Sequence, residues 1–407
     1  MIPNLEKLIN CEDLIYLQVP KLKNTQVNHV YITALSKFLP NQPVPNEEME
    51  DYLGLIDGKP SKSKRIILRY NKIKTRYYAL DKNGNSTHSN AQLCAEAIRN
   101  LESSNFCLKD MELLAGGSSS PDQLLPSHVS MVQGELGPDT INSTEILSAG
   151  GSCNAGMQAL KYAYLSVMSG NTKNAVSFGS EKQSTWMHAK NFKLESENWK
   201  DLEKQPIIGF EKDFLRWMLS DGAAAALLEN KPNKEGHSLK IEWIEFRSFS
   251  NELETCMYAA CDKLKDGSIK PWRDYDAEEI MTKSLFSLRQ DVKLLGKNII
   301  KKGGEFLREV MDKRDFGVDD VDYFLPHLSS EFFRAHIIED LTNNDIVIPQ
   351  EKWFTNLTRV GNVGAASVYL MMEELFNTNK LKKGDKLLLM VPESARFSYA
   401  YALLTVV

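Results

Sequence analysis

The stretch Leu147-Ser148-Ala149-Gly150-Gly151-Ser152-Cys153-Asn154-Ala155-Gly156 decides the fold. Leu147 to Gly151 is a short run ending in glycines and reads as a strand. From about Asn154 to Ser169, Met157, Leu160, Tyr164 and Val167 recur at helical spacing, and Gly170-Asn171 is a stop signal. Small or apolar residues lie on most sides of that helix, the pattern of a buried one. Cys153 therefore stands where a strand hands over to a buried helix. Downstream, Ala175 to Phe178 reads as a further strand. Gln183 to Asp213 is a polar insertion, and Ala223 to Leu228 is a strand of small residues.

The second half of the chain echoes this order. Ile241 to Phe246 reads as a strand, Glu252 to Asp276 as an irregular insertion, and Ser284 to Val310 as mostly helical. Tyr323 to Leu325 is a strand ending at Pro326-His327. Gly361-Asn362-Val363-Gly364 opens a helix reaching about Phe376, and Lys386 to Val391 is the next strand. Each half places an acidic residue beside a serine after its strand, Ser180-Glu181 and Glu393-Ser394. Each then closes on a small-residue strand, the second being Tyr399 to Leu404. Internal repetition of this kind fixes architecture before any single element does. Alternating strands and helices make an α/β fold. Two buried helices between two sheets make it five-layered, αβαβα, from two duplicated halves. The expected division is a leader over 1–26, a first half over 27–235 and a second over 236–407.

Ahead of the Cys153 strand, Val27 to Leu35 alternates as a strand and Asn46 to Leu55 opens a helix. A loop rich in Lys and Ser follows. Thr87 to Leu101 is helical, and Met111 to Ala115 is a buried strand running into Gly116-Gly117-Ser118.

Composition excludes several classes. The formal net charge of −5 lacks the basic footprint of a nucleic-acid binder. No apolar run approaches the ~18 residues of a membrane span, and Met1 to Asn10 has no apolar core of a signal peptide. The cysteines at 11, 94, 107, 153, 256 and 261 form no C-x-x-C pair and no zinc pattern, so no metal is expected. Scattered thiols fit a reducing, cytoplasmic setting.

Three residues carry chemistry. Cys153 meets the field of a helix N-terminus, roughly +0.5 charge, which favours a thiolate nucleophile. The bland alternative is a small buried hydrophobe. His327 ends a strand, where α/β sites collect; the histidines at 29, 88, 128, 188, 237 and 336 lack that setting. Asn362, flanked by glycines before a buried helix, reads equally as a plain cap.

As a set, Cys153, His327 and Asn362 resemble the ketoacyl synthase III family of the thiolase superfamily, over most of the chain from about Val27 to Leu404. Ser220-Asp221-Gly222-Ala223-Ala224, Leu325-Pro326-His327 and Gly361-Asn362-Val363-Gly364-Ala365-Ala366-Ser367 resemble its Asp, His and Asn motifs. Ile66 to Arg76 resembles its arginine-containing segment at the tunnel mouth. No late cysteine follows Cys261, which separates the chain from thiolases. Departures are Cys153-Asn154-Ala155 in place of Cys-x-Gly, and Pro392-Glu393-Ser394-Ala395-Arg396-Phe397 in place of a glycine-rich loop. Leu325 to Ser330 and Pro392 to Phe397 resemble the DarB-type ketosynthases. That branch builds dialkylcyclohexanediones, precursors of dialkylresorcinols and flexirubin pigments.

The resemblance implies Claisen condensation of an acyl group on Cys153 with a malonyl or β-ketoacyl thioester. The backbone N–H groups of Cys153 and Ala395 would form the oxyanion hole. It implies no cofactor beyond the phosphopantetheine thioester of an acyl carrier protein or coenzyme A. It also implies a homodimer in which Leu125 reaches the neighbour's pocket. Lys59 to Arg76 holds eight basic residues and no acid, and Lys293, Lys297 and Lys301 share one helical face. Arg69, Lys72, Lys74, Arg76, Lys293 and Lys297 are the expected carrier-binding set, against the plainer reading of a solvated basic surface. The alternatives are a non-condensing acyltransferase of the same fold, in which Asn362 matters less, and a non-catalytic chain-length-factor-like subunit, which usually lacks the cysteine.

Overall fold

In the computed structural model the described residues are 28–140, 143–192 and 215–407. They form nine main strands: β1 (Tyr31–Phe38), β2 (Leu113–Ser118), β3 (Glu145–Gly150), β4 (Asn174–Glu181), β5 (Gly222–Glu229), β6 (Leu239–Ser248), β7 (Tyr323–Pro326), β8 (Lys386–Glu393) and β9 (Ser398–Val406). Their spatial order is β7-β8-β9-β6-β1-β5-β4-β2-β3. β2 is parallel to β3 and β4, and β4, β5 and β1 follow antiparallel. β7 is parallel to β8, and β8, β9 and β6 follow antiparallel. The order β2-β4-β5-β1 is thus repeated as β7-β8-β9-β6. The halves join at a short seam, Tyr31↔Lys240 and Ile32↔Leu239. The second-half counterpart of β3 is reduced to one parallel bridge, Phe324 to Trp353.

The helices that matter are α1 (Lys64–Asn71), α2 (Asn90–Arg99), α3 (His128–Leu136), α4 (Ala155–Ser169), α5 (Val292–Asn298), α6 (Lys301–Arg314), α7 (Phe332–Asn343) and α8 (Ser367–Phe376). Strand alternation sorts their cores. Leu387 and Leu389 of β8 face a central cluster holding Met157 and Leu160 of α4 with Val368 and Leu370 of α8. Leu388 and Met390 face the opposite way, onto Phe306 of α6 and Ile337 of α7. On the other side, Leu114 of β2 and Phe178 of β4 cover Leu93 of α2 and Val132 of α3. Two outer helix layers, two sheet layers and a central helix pair give the five-layered αβαβα fold.

Small residues bring the two central helices to the same place. A Cβ at Gly156 would stand 2.3 Å from Ala365 O, and one at Gly179 2.2 Å from the same oxygen. Backbone thus meets backbone at the start of α4 and just before α8. Tyr369 Oη bonds both Gly156 O, at 2.8 Å, and Ser177 Oγ, at 2.7 Å, tying α8 to α4 and β4.

Several expected elements differ. Val27 and the leader over 1–26 lie outside the described residues, as does the insertion from 193 onward. The Lys- and Ser-rich loop contains α1, whose inward residue Ile67 is buried against the outer cluster. The region 252–276 is ordered by two ladders, Cys261–Lys263 with Ile269–Pro271 and Met257–Tyr258 with Arg289–Gln290. Lys293, Lys297 and Lys301 do not share one helix, because the chain breaks between α5 and α6 at Ile299 and Ile300. The helix after Asn362 begins as a 3-10 turn, Gly364–Ala366, before α8.

Candidate active site

Cys153 lies between β3 and α4, after Gly151, whose φ of 137° is open to glycine. Ser152 Oγ donates to Cys153 Sγ at 3.7 Å. Burial pushes the thiol up to about 12, and the charges of Glu393 and Glu181 act in the same direction. This direction is opposite to the lowering expected at a helix terminus: burial favours the uncharged thiol over the thiolate.

His327 follows β7, with its N–H held by Met390 O at 2.7 Å. Burial lowers its pKa to about 4, so the imidazole is neutral near pH 7. Nε2 is buried and has no partner among the described residues. A neutral ring with a free nitrogen is suited to take a proton and then to donate it.

Asn362 is held at both ends of its peptide. Its N–H donates to Met218 O at 3.0 Å, and its carbonyl accepts Ser220 N–H at 2.9 Å. Gly361 has a φ of 79°, and a Cβ there would meet Ser220 Cβ at 2.8 Å. The side-chain Oδ1 accepts the N–H of Gly364 at 2.9 Å, which leaves Nδ2 as the outward donor. Asn362 caps neither the 3-10 turn nor α8, whose cap positions are Val363 and Ala366.

Cys153, His327 and Asn362 line one cavity, with an empty volume of about 790 Å³ that includes open solvent at its mouth. Apolar residues make most of the remaining wall, among them Met218, Leu295, Ile299, Phe333 and Ile337. Leu295 and Ile299 come from the segment around α5, so that region roofs the cavity.

The other expected residues separate into groups. Arg69, Lys72 and Lys74 are exposed on and just after α1, and Lys293 and Lys297 are exposed on α5. The end of α1 touches the start of α7, where Glu331 N–H meets Asn71 O at 3.4 Å and the Tyr70 and Phe332 rings lie 6.1 Å apart. Both basic groups thus flank segments that wall the cavity. Arg76 does not belong with them. It is fully buried, with Nη1 on Asn46 Oδ1 at 2.8 Å and Nη2 on Trp217 O at 3.3 Å, out of reach of a docked carrier. Ser394, not Ala395, is on the cavity wall; the Ala395 carbonyl accepts the N–H groups of Cys256 and Met257. Leu125 is 85% exposed. Among the described residues no cluster of potential ligands would hold a metal, and no helix is long and apolar enough to cross a membrane.

Residue-by-residue reading missed Glu181. Its buried carboxylate accepts Ser119 Oγ at 2.7 Å, Ser120 Oγ at 2.6 Å, Gln183 Nε2 at 2.9 Å and Ala365 N–H at 3.1 Å. The available signal was an acidic residue closing a strand of small residues, at the position echoed by Glu393. Glu393 is likewise bonded, by Ser398 Oγ at 2.7 Å, and Ser398 is held by Asn154 Nδ2 at 3.0 Å.

Comparison with known proteins bears on the fold and on the class of enzyme. Residues 311–405 match the family model described as 3-oxoacyl-[acyl-carrier-protein] synthase III C terminal. A beta-ketoacyl-[acyl-carrier-protein] synthase III of Clostridium novyi is 25% identical over 362 residues, 89% of this chain and 94% of that protein. The enzyme of the same name from Chlorobaculum tepidum is 24% identical over 363 residues, 88% and 94% of the two chains. The chain is an acyltransferase, similar over most of its length to ketoacyl synthase III enzymes. Its fold is shared with AbyA1, a tetronic acid condensing enzyme, at a TM-score of 0.70 and 18% identity over 92% of this chain and 99% of that one. It is shared too with Xanthomonas campestris OleA bound to lauric acid and lauroyl-CoA, at a TM-score of 0.68 and 18% identity over 93% and 99%. What these solved structures share with the chain is the fold.

Proposed function

We propose that the chain forms a carbon–carbon bond between an acyl group on Cys153 and the enolate of a second thioester, with cyclisation to a dialkylcyclohexanedione. The observation that carries the reading is the convergence of Cys153, neutral His327 and the Nδ2 end of Asn362 on one apolar cavity. In the first half-reaction Cys153 Sγ attacks the acyl thioester. Its proton passes to His327 Nε2 and from there to the departing carrier thiolate. In the second, the thioester carbonyl of the incoming unit lies against His327 and Asn362, whose donors stabilise the enolate oxygen. A malonyl unit reaches that enolate by losing carbon dioxide. A β-ketoacyl unit reaches it by giving its C2 proton to His327, which returns the proton to the Cys153 thiolate as the new bond forms.

The wall of Leu295, Ile299, Phe333 and Ile337 suits an alkyl chain, and a structural neighbour binds a lauroyl group. Exposed Lys293, Lys297, Arg69, Lys72 and Lys74 suit an acidic acyl carrier protein and its phosphate; coenzyme A carries the same arm. The N–H of Cys153, with one from the 394–397 turn near Ala395, is the proposed oxyanion hole. A homodimer is proposed from the open edge of β3, with Leu125 at the partner's pocket.

The test is intact mass after incubation with acyl and β-ketoacyl thioesters, wild type beside Cys153→Ala. An adduct on wild type alone, and a cyclic dione when both thioesters are present, is the expected result. Absence of any adduct on wild type removes the nucleophile and with it the proposal.

A further inference from the structure

Gln183 shares the cavity wall with Cys153, His327 and Asn362 and is 3% exposed. It is held at both ends. Its backbone N–H donates to Asp221 Oδ1 at 2.7 Å, and the same carboxylate takes Ala79 N–H at 2.7 Å and Ser184 N–H at 2.9 Å. Its Nε2 donates to Ser119 Oγ at 2.8 Å and to Glu181 Oε2 at 2.9 Å. Ser119 Oγ passes its own hydrogen to Glu181. Both amide hydrogens are thereby used. The flipped amide would set its oxygen against a carboxylate, so the network fixes the orientation. Oε1 is the end left over, buried and without a partner among the described residues. A buried carbonyl held this way is a preorganised acceptor waiting for a donor.

The rest of the wall supplies little competition. The Gln290 amide is engaged with Cys256 Sγ at 3.1 Å, and Ser152 Oγ is directed to Cys153. No lysine or arginine lines the cavity among the described residues, so nothing there neutralises an anion. Glu181 stands directly behind Gln183.

We infer that Gln183 Oε1 is a specificity-determining acceptor for the C3 hydroxyl of an enolised β-ketoacyl thioester, and that it disfavours a malonyl unit. The inference rests on the proposed condensation and decides which second substrate it takes. In the enol, one C2 hydrogen has moved to the C3 oxygen, and that O–H donates to Gln183. When C2 attacks the acyl thioester the C3 carbonyl re-forms. His327, which carried the C2 proton to the C3 oxygen, takes the hydroxyl proton back and returns it to the departing Cys153 thiolate, which becomes the thiol again. A malonyl carboxylate at the same position meets a carbonyl oxygen, with no lysine or arginine on the described wall to offset its charge.

The experiment separates the two half-reactions. Wild type is first loaded with an acyl group from acyl-CoA and checked by intact mass. It is then chased with β-ketoacyl-CoA or with malonyl-CoA. The expected result is a β-ketoacyl chase at least about tenfold faster than the malonyl chase, one good hydrogen bond's worth of preference. In Gln183→Leu the β-ketoacyl chase, taken relative to loading and to the malonyl chase of the same variant, slows about tenfold. Equal or faster use of malonyl-CoA by wild type overturns the inference, and so does a variant in which loading and both chases fall together. Should the variant not fold, the wild-type ratio alone decides. Failure to load at all is a different outcome, and it removes the nucleophile claim instead.

Discussion

Asn362 Oδ1 accepts the N–H of Gly364 at 2.9 Å, and this one contact commits the side chain to donate from its other end. Asn362→Asp keeps the acceptor and removes the donor. It also adds a negative charge where enolate charge develops. The expected outcome is loss of condensation by at least about 10²-fold, the usual effect of deleting one oxyanion donor. Loading of Cys153 stays near the wild-type rate, because that step does not use the Nδ2 hydrogen. Single-turnover loading by intact mass, read beside product release, checks this. Equal loss in both steps would favour a structural role for the loop.

The buried histidines make a pH prediction. His327 and His128 are each lowered to about 4 by burial, from an ordinary value near 6.5. Both are neutral in the fold. Below about pH 6.5 the unfolded chain takes up protons that the fold refuses, so stability present above pH 6.5 is lost as the pH falls toward 4. Urea unfolding between pH 7 and 5 should show a falling midpoint. In His327→Gln the pH slope should shrink by about one proton. An unchanged slope would mean that His327 is not held neutral.

The sequence was most legible where backbone and side chain obey the same rule. The strand–Cys153–helix stretch announced itself because a buried α4 needs apolar residues all round. Asn362 and His327 followed because their halves repeat one order. Burial that depends on partners distant in sequence was not legible. Arg76 sits in a basic run and looks like surface. It is buried where Asn46 and the Trp217 carbonyl, from distant parts of the chain, accept from the two terminal nitrogens of its guanidinium. The direction of the Cys153 shift was missed for the same reason, since its largest cause is burial, with Glu393 and Glu181 adding to it from the ends of β8 and β4. Lys301 left the line of Lys293 and Lys297 because Leu295 and Ile299 turn inward to roof the cavity. No local periodicity records that demand.

Gly156 is required by distance alone. Its backbone lies so close to Ala365 that an added Cβ would stand 2.3 Å from a carbonyl oxygen, which cannot rotate away as a side chain could. Gly156→Ala should destabilise the fold by about 1–3 kcal/mol, the ordinary cost of overpacking. It should also slow condensation, because α4 and the 362–366 turn, which carry Cys153 and Asn362, are forced apart. Gly134→Ala is the control, since a Cβ there meets nothing within 4 Å. Urea midpoints of the two variants check the contrast. Matching midpoints would show that the close approach can relax.

The open edge of β3 sets the last prediction. An exposed edge strand offers unpaired backbone groups to another chain, and soluble proteins cover or charge such edges. Among the described residues β3 pairs with β2 on one side only, and Ile146 on it is 38% exposed. Leu165 of α4 is 41% exposed as well. Apolar residues on and beside an open edge suit a second copy of the chain. Ile146→Lys places a charge there without touching the three core clusters, so the fold should survive. The expected outcome is a shift from dimer to monomer in light scattering, with circular dichroism unchanged. If the partner's Leu125 completes the acyl pocket, condensation with long-chain thioesters should fall with the dimer, and Leu125→Ala should reproduce that loss in a variant that still dimerises. A wild-type chain that is already monomeric and active would remove the homodimer and assign the whole cavity to one copy.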